Sequence, residues 1–168
     1  MLKKTTLILL LIIGVLKLNA QNKWFKQQIT EKVSVSFPTQ PRKVNETSYA
    51  IKDSTGIIYV SSRVDLLPIT QLDLATLNAE IEKQKFADDF VVGISGSFPK
   101  YKFESPKLIM VSGQRAYAVV ARDEVNKLSL FMNVCFLDGT SYSFSCILPD
   151  GKSVKYKDIF LSTIWFKN

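Results

Sequence analysis

The chain alternates apolar and polar residues over several short runs, a two-residue period that is typical of half-buried β-strands. The clearest example covers residues 128–148, where two alternating segments flank Asp138-Gly139, a dipeptide that favours a tight hairpin turn. Further strands are predicted at residues 33–37, 47–52, 57–64, 107–112 and 114–123. The pattern therefore predicts a protein built mainly on antiparallel strands.

Two segments have a helical period instead. The first helix is predicted over residues 71–88, with Thr70 as its cap, and a closing helix follows Ser153 and extends to Ile164. The glycines and prolines of residues 90–106 predict a loop after the first helix. Strands, a helix, more strands and a final helix in this order favour an α+β fold, in which helices cover a mostly antiparallel sheet.

The register of the long hairpin has two solutions. A two-residue turn at Asp138-Gly139 sets Asn133 opposite Phe144 and buries the amide among aromatic side chains. A three-residue turn that begins at Leu137 and contains a glycine bulge moves Asn133 to the other face. Because the apolar face sets the register of a strand, we prefer the bulged turn.

The two cysteines, Cys135 and Cys146, lie on the two arms of this hairpin. With a two-residue turn they are four positions out of register, which is roughly 13 Å along the strands and beyond the roughly 7 Å Cα limit for a disulfide. With the bulged turn they lie on opposite faces of the sheet. Both cysteines are therefore predicted to be free and to act as small buried apolar residues.

The N-terminus has the pattern of a secretory signal peptide at residues 1–20. Lys3-Lys4 precedes an apolar run of about a dozen residues, shorter than the roughly 20 that cross a bilayer, and cleavage is expected after Ala20. No cysteine lies nearby to receive a lipid. We expect a secreted or periplasmic protein without stable membrane insertion, with residues 21–168 as one α+β domain.

Charge changes this picture little. Loss of residues 1–20 removes three lysines and no acid, so the formal charge falls from +7 to +4. The remaining basic residues are scattered among acids, whereas a nucleic-acid-binding protein usually concentrates them on one face. Nucleic acid is therefore not an expected partner.

The composition excludes several kinds of chemistry. The chain has no histidine, which rules out Ser-His-Asp and Cys-His catalysis and histidine-ligated zinc. It also lacks a Cys-x-x-Cys pair and a glycine-rich phosphate loop. We therefore assign no catalytic residue, no cofactor and no metal ligand.

Two acidic pairs are candidates for carboxylate catalysis: Asp88-Asp89 and Asp123-Glu124. Glycoside hydrolysis, for example, needs two carboxyl groups about 5 to 10 Å apart that face one cleft, and adjacent residues rarely do so. The first pair is expected to end a helix and the second to mark a turn. Asp53 lies in a short turn that lacks the spacing of a calcium-binding loop.

The residues with the best claim to a recognition role are three aromatics, Phe98, Tyr101 and Phe103. They lie in the predicted 90–106 loop, and loops commonly carry binding surfaces. We treat these three residues as a possible recognition surface.

The order of elements resembles a known family. A strand with a proline-flanked end (residues 33–41) precedes paired strands and a central helix, the segment 112–116 (SGQRA) leads into a long strand, and a hairpin and a helix close the chain. This resembles the PsbP-like family, an α/β/α sandwich shared by the extrinsic photosystem II subunit, a yeast Ran-binding protein and many small exported bacterial proteins. The resemblance implies an accessory or binding role without enzymatic activity and carries over no functional residue. An NTF2-like cone is the alternative fold.

Two functions remain open at this point. The first is an exported, non-enzymatic binding or accessory protein of the cell envelope, whose partner is an unknown protein or envelope component. The alternative is a small-ligand-binding protein or a carboxylate-dependent hydrolase with its pocket under the 90–106 loop. A pocket with two converging carboxylates would favour the hydrolase.

Overall fold

The computed structural model describes residues 24–167, so the predicted signal peptide at residues 1–20 lies outside the described residues. None of the helices in this range is both long and apolar enough to span a membrane. In chain order the elements are β1 (Phe25–Thr30), β2 (Val33–Phe37), β3 (Arg42–Asn45), β4 (Ser48–Lys52), β5 (Ile58–Asp65), α1 (Leu67–Thr70), α2 (Leu74–Glu80), α3 (Gln84–Ser95), β6 (Lys102–Phe103), β7 (Lys107–Val111), β8 (Gln114–Asp123), β9 (Leu128–Leu137), β10 (Thr140–Pro149), α4 (Lys155–Ser162) and β11 (Trp165–Phe166).

The strands form two antiparallel sheets. The large sheet has the order β3-β4-β5-β10-β9-β8-β6, and β7 also pairs with β8. The small sheet has the order β1-β2-β11. The five strands predicted outside the long hairpin are all present, with each end within one residue of its predicted position. The predicted α+β class with a mostly antiparallel sheet is therefore confirmed.

The large sheet has a different cover on each face. On one face, which we call the closed face, β2 of the small sheet and α4 complete a core in which Val35, Phe37, Phe144 and Phe160 are all 0% exposed. The opposite face, which we call the helical face, carries α1 to α3. Covering by helices was predicted, but the contribution of a second sheet was not.

The predicted 71–88 helix is wrong in its extent. The segment contains α2 and the first part of α3, and the N-cap residue of α2 is Asp73, whose Oδ1 accepts the Thr76 amide at 2.7 Å. Thr70 is not the cap of this helix but the last residue of α1, and its hydroxyl donates to the carbonyl of Leu66, the residue that precedes α1. Helix α2 ends at Glu80, with Ile81 as its C-cap residue, and the chain becomes helical again at Gln84, where α3 begins.

Helix α3 also replaces part of the predicted 90–106 loop. It continues to Ser95, so residues 90–95 are helical. Phe86, Phe90 and Ile94 recur every four residues and face the sheet, with partial burial against the apolar cluster there. This apolar face outweighs the cost of about 1 kcal/mol that a glycine such as Gly93 imposes on a helix interior.

The predicted closing helix is confirmed as α4, with a different start. Val154 is the N-cap residue and provides no side-chain cap, while the hydroxyl of Ser153 accepts the Lys155 amide at 3.3 Å. Thr163 fixes the end of the helix to the small sheet, because its Oγ1 accepts the Ser36 amide at 3.0 Å.

The preferred bulged register of the long hairpin is wrong. Leu137 pairs with Thr140, so the turn contains two residues, and both have positive φ: 50° at Asp138 and 77° at Gly139. Aspartate and glycine are residues that tolerate this left-handed conformation, which a two-residue hairpin needs. Asn133 does lie opposite Phe144, but it is only half-buried, because its other cross-strand neighbour is the small Ala118.

This register determines where the two cysteines lie. Cys135 pairs with Tyr142 and Cys146 with Phe131, and both cysteines lie on the closed face of the sheet. Their predicted placement on opposite faces is therefore wrong. The prediction that both are free and buried is confirmed.

Candidate functional site

A groove opens on the helical face of the large sheet. It lies between α1 and α3 on one side and strands β5 and β10 on the other, and its volume is about 720 Å³. Volumes of roughly 300 to 1,000 Å³ are usual for pockets that bind small molecules. The groove is therefore large enough to hold a ligand.

The groove exists because the helices cover one half of this face. Ala87 and Val91 of α3 are buried in the same cluster as Tyr117 and Val119 of β8. Helix α3 consequently lies over β8 and β9 and leaves the neighbouring strands β10 and β5 without a helical cover. The short side chains on those two strands do not fill the remaining space.

Serine side chains form much of the floor. Ser141, Ser143 and Ser145 alternate along β10, and Ser143 lies directly opposite Ser62 of β5. Ser141 donates to the Val64 carbonyl at 3.3 Å. Ser145 is 7% exposed, and none of the hydrogen bonds within residues 24–167 uses its hydroxyl or those of Ser62 and Ser143. Three hydroxyls are thus available to a ligand.

The walls of the groove are apolar. Phe90 is held in place by edge-to-face contacts with Tyr117 and Phe136, with ring centroids 6.1 and 6.0 Å apart. Gly93 leaves a gap in this wall, since a Cβ built there meets no atom within 4 Å. The side chains that form the apolar walls are Val60, Val64, Leu66, Ile69, Phe86, Phe90, Ile94, Phe98, Met132 and Ile147.

Charge is nearly absent from the groove. Among the described residues that line it, Asp89 alone is charged, and its carboxylate lies 2.7 Å from the ammonium of Lys85. Its neighbour Asp88 accepts from the Gln84 side-chain amide at 2.9 Å and borders a different, shallower groove. The two carboxylates of this pair therefore do not converge on one site.

The three aromatics predicted as a recognition surface come together in space. Phe98 makes edge-to-face contacts with Tyr101 and Phe103, with centroids 5.8 and 6.1 Å apart. Phe98 lines the 720 Å³ groove, whereas Tyr101 and Phe103 line the shallower groove of about 420 Å³ on the other side of α3. Burial raises the pKa of the Tyr101 phenol. All three rings are half-buried against the apolar cluster of the helical face.

The other acids considered in the sequence stabilise turns. The carboxylate of Asp123 accepts the amides of Asn126 and Val125, at 2.9 and 3.0 Å, and these bonds hold its pKa below the usual range. Asp53 accepts the amides of Thr55 and Ile57 at 2.8 and 3.0 Å. Residues 24–167 contain no cluster of three or more cysteine, aspartate or glutamate side chains that could hold a metal ion.

The groove was not identified from the sequence, although one signal for it was present. Ser141, Ser143 and Ser145 alternate with apolar residues along β10, a pattern that is also typical of the polar face of a half-buried strand. In a central strand that face is expected to be covered, and three consecutive serines on it indicate a cavity or a polar site. The predicted pocket under the 90–106 loop came close, since Phe90, Gly93, Ile94, Ser97 and Phe98 do line the groove.

The fold and the groove together define a small α+β sandwich with a ligand-sized cleft on one face of its main sheet. A solved structure with the same fold is cyanobacterial PsbP (CyanoP) from Synechocystis sp. PCC 6803, with a TM-score of 0.58, 13% sequence identity, and coverage of 84% of this chain and 91% of that one. The chain thus has a PsbP-like fold, as the sequence predicted in preference to an NTF2-like cone.

A second similar structure comes from Bacteroides thetaiotaomicron VPI-5482, with a TM-score of 0.50 and 12% identity. The match covers 85% of this chain and 48% of the other, so the present chain spans about half of its length. At these identities the likeness shows the fold alone. The sequence matches no protein-family model and no curated protein sequence.

Proposed function

We propose that this protein is a non-enzymatic binding protein of the cell envelope that holds a small, mainly apolar ligand in the groove between β10 and α3. The observation that carries this proposal is the groove itself, which combines ligand-sized volume, apolar walls and unpaired hydroxyls on its floor. Small-molecule sites usually have this composition, in which apolar walls supply affinity and a few polar groups fix orientation.

Binding is a better fit to this lining than hydrolysis. A serine nucleophile needs a base to accept its proton, and the chain has no histidine. Among the described lining residues, Asp89 is the one carboxylate, and it is already paired with Lys85. The hydrolase alternative therefore receives no support from this site, while the small-ligand alternative does.

The proposed location rests on the N-terminal sequence and the fold. The charged start and apolar run of residues 1–20 support export and cleavage after Ala20, and the fold supports membership of the PsbP-like family. On this proposal the mature protein comprises residues 21–168 and works in the periplasm or outside the cell.

A protein or envelope component is a second candidate partner, and the shallower groove favours it. Val92 is 72% exposed beside Tyr101 and Phe103, which makes an apolar patch on the outer side of α3. Exposed apolar patches of this kind are common at protein contacts. Substitution of Val92 by Glu is expected to release such a partner without affecting the deeper groove.

Ligand binding is tested with N-phenylnaphthylamine, an uncharged fluorescent reporter of apolar sites. We expect it to bind the purified protein with a rise in fluorescence. Gly93→Leu should abolish binding, because the new side chain projects into the groove from a helix position where nothing obstructs it.

Gly96→Leu is the matched control. Gly96 is the C-cap residue of the same helix, has equal free space and does not line the groove. The affinity of the Gly96→Leu variant for the reporter should stay within about twofold of that of the unmodified protein. Equal loss in both variants, or no binding by the unmodified protein, would refute the proposed function.

Export is tested separately, by mass spectrometry of the protein recovered from an expressing bacterium. The proposal predicts a chain that begins at Gln21 in the periplasmic or culture fraction. An intact N-terminus in the cytoplasmic fraction would refute it.

A further inference from the structure

Three features of the groove restrict the chemistry of its ligand: unpaired hydroxyls, an absence of available charge, and an apolar wall. We propose that the ligand is an uncharged single-chain amphiphile whose hydroxyl or carbonyl groups bond to the serine floor while its chain lies along α3. This inference rests on the proposed ligand-binding function and goes further by naming the class of ligand.

The hydroxyls define where the polar part of the ligand binds. Ser62 and Ser143 are directly opposite each other on adjacent strands, and Ser145 lies two residues along β10, roughly 7 Å away. Ser145 is more than nine-tenths buried and its hydroxyl has no partner within residues 24–167. The Ser145 oxygen is not among the fully buried oxygens that lack a partner in residues 24–167, so it is accessible from the groove, and a ligand oxygen placed there gains a hydrogen bond.

The charges select an uncharged ligand. A carboxylate or phosphate headgroup needs a cation when it leaves water, and the described residues lining the groove supply none. Lys85 is close by, but its ammonium is paired with Asp89 at 2.7 Å. The Asp89 side chain is 65% exposed and therefore solvated, so a cationic headgroup gains little there. Hydroxyl, ester and amide groups, in contrast, match serine donors and acceptors.

The apolar wall favours a ligand with an elongated apolar part. Phe86, Phe90 and Ile94 follow one another along α3, and Val60 and Ile147 face them from the sheet. Gly93 keeps the passage between them open. A flexible alkyl chain fits this linear surface, and the polar floor begins where the serines of β10 replace apolar side chains.

The test is displacement of N-phenylnaphthylamine by monolaurin, by laurate and by dodecyltrimethylammonium, which share one chain length and differ in headgroup charge. All are used below their micelle concentrations. We expect monolaurin to displace the reporter at a concentration at least tenfold lower than either charged compound. Laurate as effective as monolaurin would overturn the inference.

Ser145→Ala supplies the second arm. This substitution should weaken the affinity for monolaurin about fivefold, as expected for loss of one hydrogen bond. The affinity for the reporter should stay within about twofold of that of the unmodified protein. Ser34→Ala is the control for loss of a serine hydroxyl elsewhere, because Ser34 is a mostly buried serine like Ser145 but lies in the small sheet, away from the groove. Equal effects of the two substitutions would overturn the inference.

The outcomes separate the two proposals. If the reporter binds and is blocked by Gly93→Leu but laurate competes as well as monolaurin, the ligand class is wrong and the binding function stands. If calorimetry detects binding of neither reporter nor monolaurin, both proposals fail.

Discussion

The two faces of the large sheet use the same strands in different ways. On the closed face, Tyr142, Phe144 and Cys146 of β10 are at most 6% exposed and pack into a core completed by the small sheet and α4. On the helical face, the alternate residues Ser141, Ser143 and Ser145 form the floor of an open groove. One strand thus contributes to the core through one face and to a candidate binding site through the other.

This difference indicates where stability resides. Burial of a large apolar side chain contributes about 1.5 to 3 kcal/mol, and on β10 the large side chains are concentrated on the closed face. The groove can stay unfilled because its serines contribute little to that core. Stability and binding should therefore respond to different substitutions within the same strand.

The largest expected effect tests this separation directly. Phe144→Ala should lower the free energy of unfolding by about 3 to 5 kcal/mol, because it leaves a cavity in the closed core. Ser143→Ala, one residue away on the other face, should change it by less than about 0.5 kcal/mol. Urea unfolding monitored by circular dichroism measures both, and similar values would show that the two faces do not differ in this way.

A second comparison concerns two of the tight hairpins of the large sheet, β7–β8 and β9–β10. Gly139 and Gly113 both have positive φ, 77° and 82°, but a Cβ on Gly139 would lie 2.8 Å from Leu67 Cγ, whereas one on Gly113 meets nothing. Gly113→Ala should cost about 1 to 2 kcal/mol from backbone strain alone. Gly139→Ala should cost about 2 to 4 kcal/mol, because Leu67 of α1 must also move.

The same unfolding assay measures this pair. A smaller loss for Gly139→Ala than for Gly113→Ala would mean that α1 is not held against the hairpin. Since Leu66 and Ile69, at either side of Leu67, line the groove, that result would also mean that these two residues do not form a fixed part of its apolar wall.

The buried thiols give a smaller, pH-dependent effect on the closed face. Burial raises the pKa of Cys135 and of Cys146 to about 12, from an ordinary value near 9, and burial likewise raises the pKa of Tyr59 on the same face. The unfolded chain therefore loses these protons first. The resulting stability is fully present below about pH 9 and should fall as the pH rises towards 12.

Two measurements check this. The urea midpoint should decrease between pH 8 and pH 10, and a thiol reagent should label neither cysteine at pH 8 in the folded protein but both after denaturation. Rapid labelling of the folded protein would contradict the closed core.

The smallest expected effect lies at the rim of the groove. Lys85 and Asp89 form an ion pair in which the side chains are 84% and 65% exposed. Exposed pairs contribute little, so Lys85→Met should change the free energy of unfolding by less than about 0.5 kcal/mol. A loss above 1 kcal/mol would indicate that this rim is part of the core.

The parts of the fold that were predictable depend on local pattern. The strand alternation at Val33–Phe37 and Gln114–Asp123, for example, requires no knowledge of distant residues. The extent of α3 was missed because Gly93 and Gly96 indicate a loop, while the apolar stripe through Phe90 and Ile94 has a stronger effect once a sheet is present to receive it.

The hairpin register was misjudged for a related reason. The bulged turn keeps Asn133 out of an aromatic core, but the second neighbour of Asn133, Ala118, lies on β8, outside the hairpin whose register was being considered. The groove depends on the packing of whole elements and not on local sequence, because it results from the position of α3 over β8 and β9 instead of β10. The serines that line it are visible in the sequence, but the cavity above them is not.

The claim that the helical face of the sheet holds a ligand while the closed face does not is tested most directly by amide chemical-shift mapping during titration with N-phenylnaphthylamine. The account predicts shifts at groove residues such as Ser62, Gly93 and Ser143, with none at Val35 or Phe160. Shifts concentrated around Tyr101 and Phe103, or on the small sheet, would contradict it.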